Sequence, residues 1–151
     1  MEPSESASNA ADLADIRILI IDDDGVNAML AKCILERLGC LVQVASSAVK
    51  ALEKYSHEKD TIDLLLVDYF MPTLDGGETI DHLRKLNPEV KVLLFSGADE
   101  MHLRQIIRQH SIAGYLHKPL RKEEAQRIIR EMFPVPSPNP VSVRSESATN
   151  S

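Results

Sequence analysis

The chain has 151 residues, 44% of them hydrophobic, with no Trp and only 4% aromatics, which suits one domain with an aliphatic core of Leu, Ile and Val. Its formal net charge is -6 and its pI about 5.3, so it has no general attraction for phosphate backbones and no nucleic-acid partner is expected. Cys33 and Cys40 form no C-x-x-C pair, no basic-then-apolar leader opens the chain, and the longest apolar runs (Ile18 to Ile21 and Leu64 to Val67) are far too short to span a bilayer; the expected setting is the reducing cytoplasm, without a membrane partner.

Residues 1–14 are rich in Ser, Ala and acids, show no apolar period, and are expected to form a disordered tail. A buried strand is predicted from Ile16 to Ile21, followed at once by Asp22, Asp23 and Asp24. Asn27 to Leu38 then places Met29, Leu30, Cys33, Ile34 and Leu38 at helical spacing, and Gly39 stops the helix. A second strand covers Leu41 to Ala45, and a helix from Ala48 to Ser56 carries Leu52 and Tyr55. The third strand, Ile62 to Val67, runs into Asp68. Beyond it Met71 and Pro72 shape a turn and Asp75-Gly76 is a turn signal; a helix from Glu78 to Leu86 follows, with Ile80, Leu83 and Leu86 inward and Pro88 after it. The fourth strand, Val90 to Phe95, ends at Ser96. Asp99 can cap a helix bearing Leu103, Ile106, Ile107 and His110. A short strand from Gly114 to Leu116 precedes Lys118, and a helix from about Arg121 to Met132 turns Ala125, Ile128, Ile129 and Met132 inward. Pro134, Pro136, Pro138 and Pro140 open a second polar segment, 134–151, read as a disordered tail, so the domain is placed at 15–133. The histidines, His57, His82, His102, His110 and His117, have no metal-like spacing and are read as surface or boundary residues.

Continuously apolar strands imply a sheet covered on both faces, and right-handed crossovers make it an α/β, doubly wound, five-stranded parallel sheet. Sites in such sheets lie at the carboxyl ends of the strands. There the sequence collects Asp22, Asp23 and Asp24, then Asp68, Ser96 and Lys118. Alone, an Asp after a strand is a turn or cap residue. Together, these carboxylates repel unless a cation neutralises them, and oxygen-only ligands favour Mg2+, which also takes a phosphate oxygen. An ammonium and a hydroxyl can serve further phosphate oxygens, and a carboxylate can itself act as nucleophile and become an aspartyl phosphate.

Four blocks in order carry a resemblance: Ile18-Leu-Ile-Ile-Asp22-Asp23-Asp24, Asp63-Leu-Leu-Leu-Val-Asp68-Tyr-Phe-Met71-Pro72-Thr-Leu-Asp75-Gly76-Gly-Glu78, Leu93-Leu-Phe-Ser96-Gly, and Gly114-Tyr115-Leu-His-Lys118-Pro119. Over Ile16 to Met132 the chain resembles the receiver (response regulator, CheY-like) family of two-component signalling. The resemblance implies a flavodoxin-like fold and Asp68 as phosphoacceptor. It implies Mg2+ held by Asp23, Asp68 and the backbone carbonyl of Phe70, with Asp22 acting largely through a metal-bound water. Lys118 would pair with the phosphoryl oxygens, Ser96 would move to bond the phosphoryl group, and Tyr115 would turn inward as Ser96 moves. The Lys118–Pro119 peptide would be cis. The donor would be a histidine kinase or histidine phosphotransfer protein.

Phe70 and Ala98 stand at two positions that tune phosphoryl lifetime in this family; neither can hold an attacking water, so slow hydrolysis is expected. Gly97 stands where the family often has Ala. Nothing after Met132 resembles a helix-turn-helix or an enzyme domain, so a stand-alone regulator is expected, not an enzyme beyond chemistry on its own Asp. Its output would be a protein contact on the face of the Asp99–His110 helix, last strand and last helix, which offers Tyr115, Arg104, Arg108 and Gln109. Two other readings compete. Asp22-x-Asp24-Gly25-Val26 resembles the first motif of haloacid-dehalogenase-like phosphatases, with Asp22 as nucleophile, Asp24 as acid/base, and Ser96 and Lys118 in later motifs. That reading lacks an acidic pair at another strand end, since only Glu123 and Glu124 follow on a helix, and it leaves the block after Asp68 unexplained. The other is a pseudo-receiver, a binding module never phosphorylated; the intact set of Asp22, Asp23, Asp68, Ser96 and Lys118 argues against it.

Overall fold

The computed structural model describes residues 13–71 and 76–134. The elements alternate along the chain: β1 (Arg17–Ile21), α1 (Gly25–Arg37), β2 (Leu41–Ala45), α2 (Ala48–Glu58), a 3-10 turn (Lys59–Thr61), β3 (Leu64–Val67), α3 (Gly76–Leu86), β4 (Lys91–Ser96), α4 (Glu100–His110), β5 (Gly114–His117) and α5 (Lys122–Met132). The strands form one parallel sheet in the order β2-β1-β3-β4-β5, the expected doubly wound α/β architecture. Proposed tail residues 1–12 and 135–151, and the turn residues Pro72 and Asp75, lie outside the described residues.

Successive residues of each strand feed opposite faces, which divides the aliphatic runs between two cores. Ile18, Ile20, Leu64, Leu66, Leu93, Phe95 and Leu116 meet Ala28, Ala31 and Leu35 of α1 and Ala125 and Ile129 of α5. Leu19, Ile21, Leu65, Val67, Val92 and Leu94 meet Ala51 and Tyr55 of α2, Ile80 and Leu83 of α3, and Leu103 and Ile106 of α4. The helix boundaries have local causes. Asp99 caps α4 by accepting from His102 N at 3.0 Å, as its position predicted. Gly39, at φ 102, takes the left-handed step that ends α1, and its N–H donates to the Glu36 carbonyl at 3.0 Å.

Two expectations need correction. The inward face of α1 is Ala28, Ala31, Leu35 and Leu38, whereas Met29 (55% exposed), Leu30 (51%) and Cys33 face out, with Ile34 only half-buried. Both sets have helical spacing; the alanine stripe is the inward one, packed against β1, β3 and α5. Cys40, in contrast, is buried, and burial pushes its thiol up to about 12. The second correction is at the entrance: Leu13, read as tail, is fully buried among Ile18, Leu35 and Leu38, so the packed domain begins earlier than residue 15.

Candidate functional site

Parallel strands all end on one edge of the sheet, so the first polar residue after each apolar run arrives at the same place. Backbone bonds continue the ladder one step further and lock these residues side by side. Asp68 N donates to Ile21 O at 2.8 Å, Asp22 N to Ala45 O at 3.1 Å, and Lys118 N to Ser96 O at 3.0 Å. Asp22, at the end of β1, is fully buried, Asp68 after β3 is 6% exposed, and Ser96 closing β4 is 3% exposed. Asp23 projects into solvent at the same edge. One carboxylate oxygen from each of Asp22, Asp23 and Asp68 lies within 4.8 Å of the others.

Lys118 enters from beyond β5, across the cis Lys118–Pro119 peptide that the resemblance implied. Its ammonium is 2.8 Å from Asp22 Oδ2 and 3.4 Å from Asp68 Oδ2, and it lies 5.2 Å from the centre of the buried Phe95 ring. Burial works against the ammonium, yet the contacts with Asp22 and the charge of Asp68 outweigh it and hold its pKa above the ordinary value. Asp68 feels the opposite balance. Burial pushes its carboxyl up to about 6, against the Phe70 N–H and Lys118, with the charge of Asp22 adding to the rise. The Phe70 N–H donates to Asp68 Oδ1 at 3.1 Å, so the acceptor closes a tight turn over Tyr69.

The donor set fits a hard cation. It consists of carboxylate oxygens, one each from Asp22, Asp23 and Asp68 within 4.8 Å of the others, and the buried Asp22 Oδ2 has the Lys118 ammonium 2.8 Å away as its charge partner. Asp22, Asp23 and Asp68 are the residues that could hold such an ion.

Asp24 donates its N–H to Asp22 Oδ1 at 2.9 Å, but its own carboxylate does not join the cluster. Its carboxylate caps α1, accepting from Val26 N at 3.1 Å, Asn27 N at 3.2 Å and Asn27 Nδ2 at 2.8 Å. The Asn27 backbone bond holds its pKa below the usual value, which suits a cap and not the acid/base a phosphatase needs. Glu124, one of the two acids that follow Lys118 on a helix and not at a strand end, is engaged elsewhere: it accepts from His117 N at 3.2 Å and meets His117 Nδ1 at 2.9 Å. That pairing, which anchors the strand end before Lys118 to α5, left no periodic signal in the sequence.

Around the rim, Ser96 Oγ accepts from Ala98 N at 3.1 Å. Half-buried Tyr115 has its hydroxyl with Glu100 and Arg104 of α4, and burial followed by Glu100 raises its pKa. Phe70 is 49% exposed, its ring 5.5 Å from that of His102. Among the described residues no helix is long and apolar enough to cross a membrane.

Known proteins similar to this chain are numerous. The chain is 31% identical over 115 residues to the transcription factor SKN7 of Saccharomyces cerevisiae, which covers 74% of this chain but 18% of that protein. It is 29% identical over 119 residues to the two-component response regulator ARR22 of Arabidopsis thaliana, covering 78% of this chain and 84% of the relative. A receiver-domain crystal structure from Clostridium thermocellum superposes with a TM-score of 0.69 at 26% identity, covering 77% of this chain and 92% of the other. The model of the response regulator receiver domain matches residues 18–130. With the sheet order, the acidic edge and that match in agreement, the chain belongs to the response regulator receiver domain family.

Proposed function

We propose that this receiver domain is a phosphoacceptor switch in which Asp68 takes a phosphoryl group from a histidine kinase or histidine phosphotransfer protein in the cytoplasm. The observation that carries the reading is the convergence of Asp22, Asp23, Asp68 and Lys118 on one sheet edge, with Asp68 buried and its neighbours already arranged around it. In the step itself an Asp68 carboxylate oxygen attacks phosphorus, the P–N bond of the donor phosphohistidine breaks, and the imidazole nitrogen keeps the electron pair and takes a proton from solvent. Asp22, Asp23, Asp68 and the Phe70 backbone carbonyl would hold Mg2+, which supplies charge neutralisation to the phosphoryl oxygens. Lys118 would move from its two carboxylates towards the incoming oxygens. Ser96 would exchange its bond to Ala98 N for one to the phosphoryl group, and Tyr115 would leave Glu100 and Arg104 to turn inward. Output would then be a protein contact on the α4–β5–α5 face, and the domain would catalyse nothing beyond chemistry on its own Asp68.

Incubation with Mg2+ and acetyl phosphate, followed by mass mapping of the modified residue, tests the reading. One phosphoryl group on Asp68, absent in Asp68→Asn, is the expected result. Turnover of phosphate esters that survives Asp68→Asn and is lost in Asp22→Asn would replace it with the phosphatase reading. No modification under any donor would leave a binding module.

A further inference from the structure

The residue that follows the acceptor is tied to a helix that contributes nothing to the acidic cluster. Tyr69 Oη lies 3.3 Å from His110 Nε2 at the end of α4, and the two rings are 5.9 Å apart. The contact is seated on α3: a Cβ at Gly77 would come 2.8 Å from His110 Cε1, 2.9 Å from His110 Nε2 and 3.1 Å from Tyr69 Oη. The same helix grips the end of α4 from two further positions. Arg84 Nη1 donates to the His110 carbonyl, Arg84 Nη2 donates to the Ser111 carbonyl at 2.7 Å, and Asp81 Oδ1 is 3.9 Å from His110 Nδ1. Ser111, at φ 54, takes the left-handed step that closes α4.

We propose that His110 is a positioning residue for the acceptor turn, coupling the state of Asp68 through Tyr69 to the junction of α3 and α4. The inference rests on the acceptor reading of Asp68. Tyr69 is the middle residue of the turn that Asp68 Oδ1 closes by accepting from Phe70 N at 3.1 Å. An oxygen that ligates a cation, or belongs to an acyl phosphate, is a weaker acceptor with a different direction of approach. The turn must adjust, and Tyr69 moves with it. Because Tyr69 Oη and the His110 ring fill the space that a side chain at Gly77 would take, the tyrosine cannot shift without loading or releasing the ring. The ring's own backbone is what Arg84 holds, so the displacement is delivered to the α3–α4 junction. By linkage the tie acts in both directions: what α4 does to Tyr69 also changes how well the turn accommodates a ligand on Asp68. A 3.3 Å bond is at the weak end of the range, so the coupling is modest.

Amide hydrogen exchange of the segment 106–112, with Mg2+ and with or without beryllium fluoride as phosphoryl mimic, reads the coupling; adduct formation is followed separately by native mass spectrometry. Three variants break the tie differently. Tyr69→Phe removes the hydroxyl and keeps the ring, His110→Leu removes the ring nitrogens, and Gly77→Ala displaces the ring while placing a better helix former in α3. The wild-type adduct should change exchange across 106–112. All three variants should form the adduct but lose that change, and their Mg2+ dissociation constants should move by roughly two- to five-fold, the scale of one weak hydrogen bond. His110→Gln, which keeps a polar nitrogen near Tyr69, should recover part of the response. Adduct formation with unchanged exchange at 106–112, or a change that persists undiminished in Tyr69→Phe and Gly77→Ala, overturns the tie and leaves the acceptor reading standing. Variants that only lower the unfolding midpoint while keeping the adduct response overturn it equally. Absence of any adduct on wild-type Asp68 overturns the acceptor reading and the tie together.

Discussion

Replacing Asp68 by Asn should stabilise the protein, and increasingly so as pH rises. Burial pushes the folded carboxyl up to about 6 from an ordinary value of 3.8, and the attraction of Lys118 is already contained in that value. Because the folded pKa lies above the unfolded one, the native state keeps a proton that the unfolded chain releases, so stability falls as pH climbs from 3.8 to about 6. The full gap corresponds to about 3 kcal/mol, little of it developed at pH 4 and nearly all at pH 7. Asparagine has the shape of the protonated acid but no charge to lose. Carboxylates remote from this cluster contribute equally to both proteins and cancel in the difference. Urea unfolding of wild type and Asp68→Asn, metal-free in EDTA from pH 4 to 7.5, should therefore show the variant's advantage opening by about 2 kcal/mol across that window. Mg2+ added at pH 7 should narrow the gap by stabilising wild type, since a cation among the three acids favours their charged forms. A difference that stays flat with pH, or wild type gaining on the variant as pH rises, would refute the reasoning.

Other substitutions separate scaffold from chemistry. Asp24→Ala removes a cap with bonds to Val26 N and Asn27 N and should cost about 1 kcal/mol in unfolding measurements, while leaving phosphorylation of Asp68 by acetyl phosphate intact. Leu13→Ala opens a fully buried site and should cost about 3 kcal/mol by urea unfolding; a loss under 1 kcal/mol would return Leu13 to the tail. Ser96→Ala should still permit modification of Asp68 in mass mapping but flatten the difference in partner affinity between the two states. With Phe70 and Ala98 flanking the site, the wild-type aspartyl phosphate should outlast seconds in Mg2+ buffer, and decay within seconds by phosphate release would contradict that.

Much of this architecture could be read before any coordinates because the sheet is parallel and buried. Runs such as Leu64–Val67 have no polar face, so the residue that breaks each run, Asp22, Asp68, or Ser96, marks the edge where the strands end together. Asp22 and Asp68 then become neighbours because β1 and β3 are paired, Ile21 against Val67. The face of α1 was less legible, since Met29-Leu30-Cys33 and Ala28-Ala31-Leu35 share one period, and hydrophobicity favours the wrong set. Pairings such as Tyr69 with His110 and His117 with Glu124 left no signal either. Each joins half-buried polar groups whose meeting depends on how α4 and α5 pack, and no periodicity encodes that.

The contacts around the site differ in strength in a way that bears on switching. The acids are held by ladder bonds from Asp68 N and Asp22 N to β-strand carbonyls, and beneath them lie two aliphatic layers. Nothing that a phosphoryl group offers could compete with that scaffold. The rim contacts are weaker. Ser96 Oγ has one neutral bond to Ala98 N, worth about 1 kcal/mol, and Tyr115 leans on an exposed Glu100–Arg104 pair that solvent screens. A charge-assisted bond from Ser96 to a phosphoryl oxygen is worth about 1.5 to 3 kcal/mol. The proposed exchange would therefore favour the moved rim by about 0.5 to 2 kcal/mol, and about 1 kcal/mol shifts a two-state population roughly five-fold without disturbing the core. A switch of that size needs the resting rim to stay weak, so substitutions that tighten it, not those that loosen it, are the ones that should leave Asp68 modifiable and the α4–β5–α5 face unresponsive.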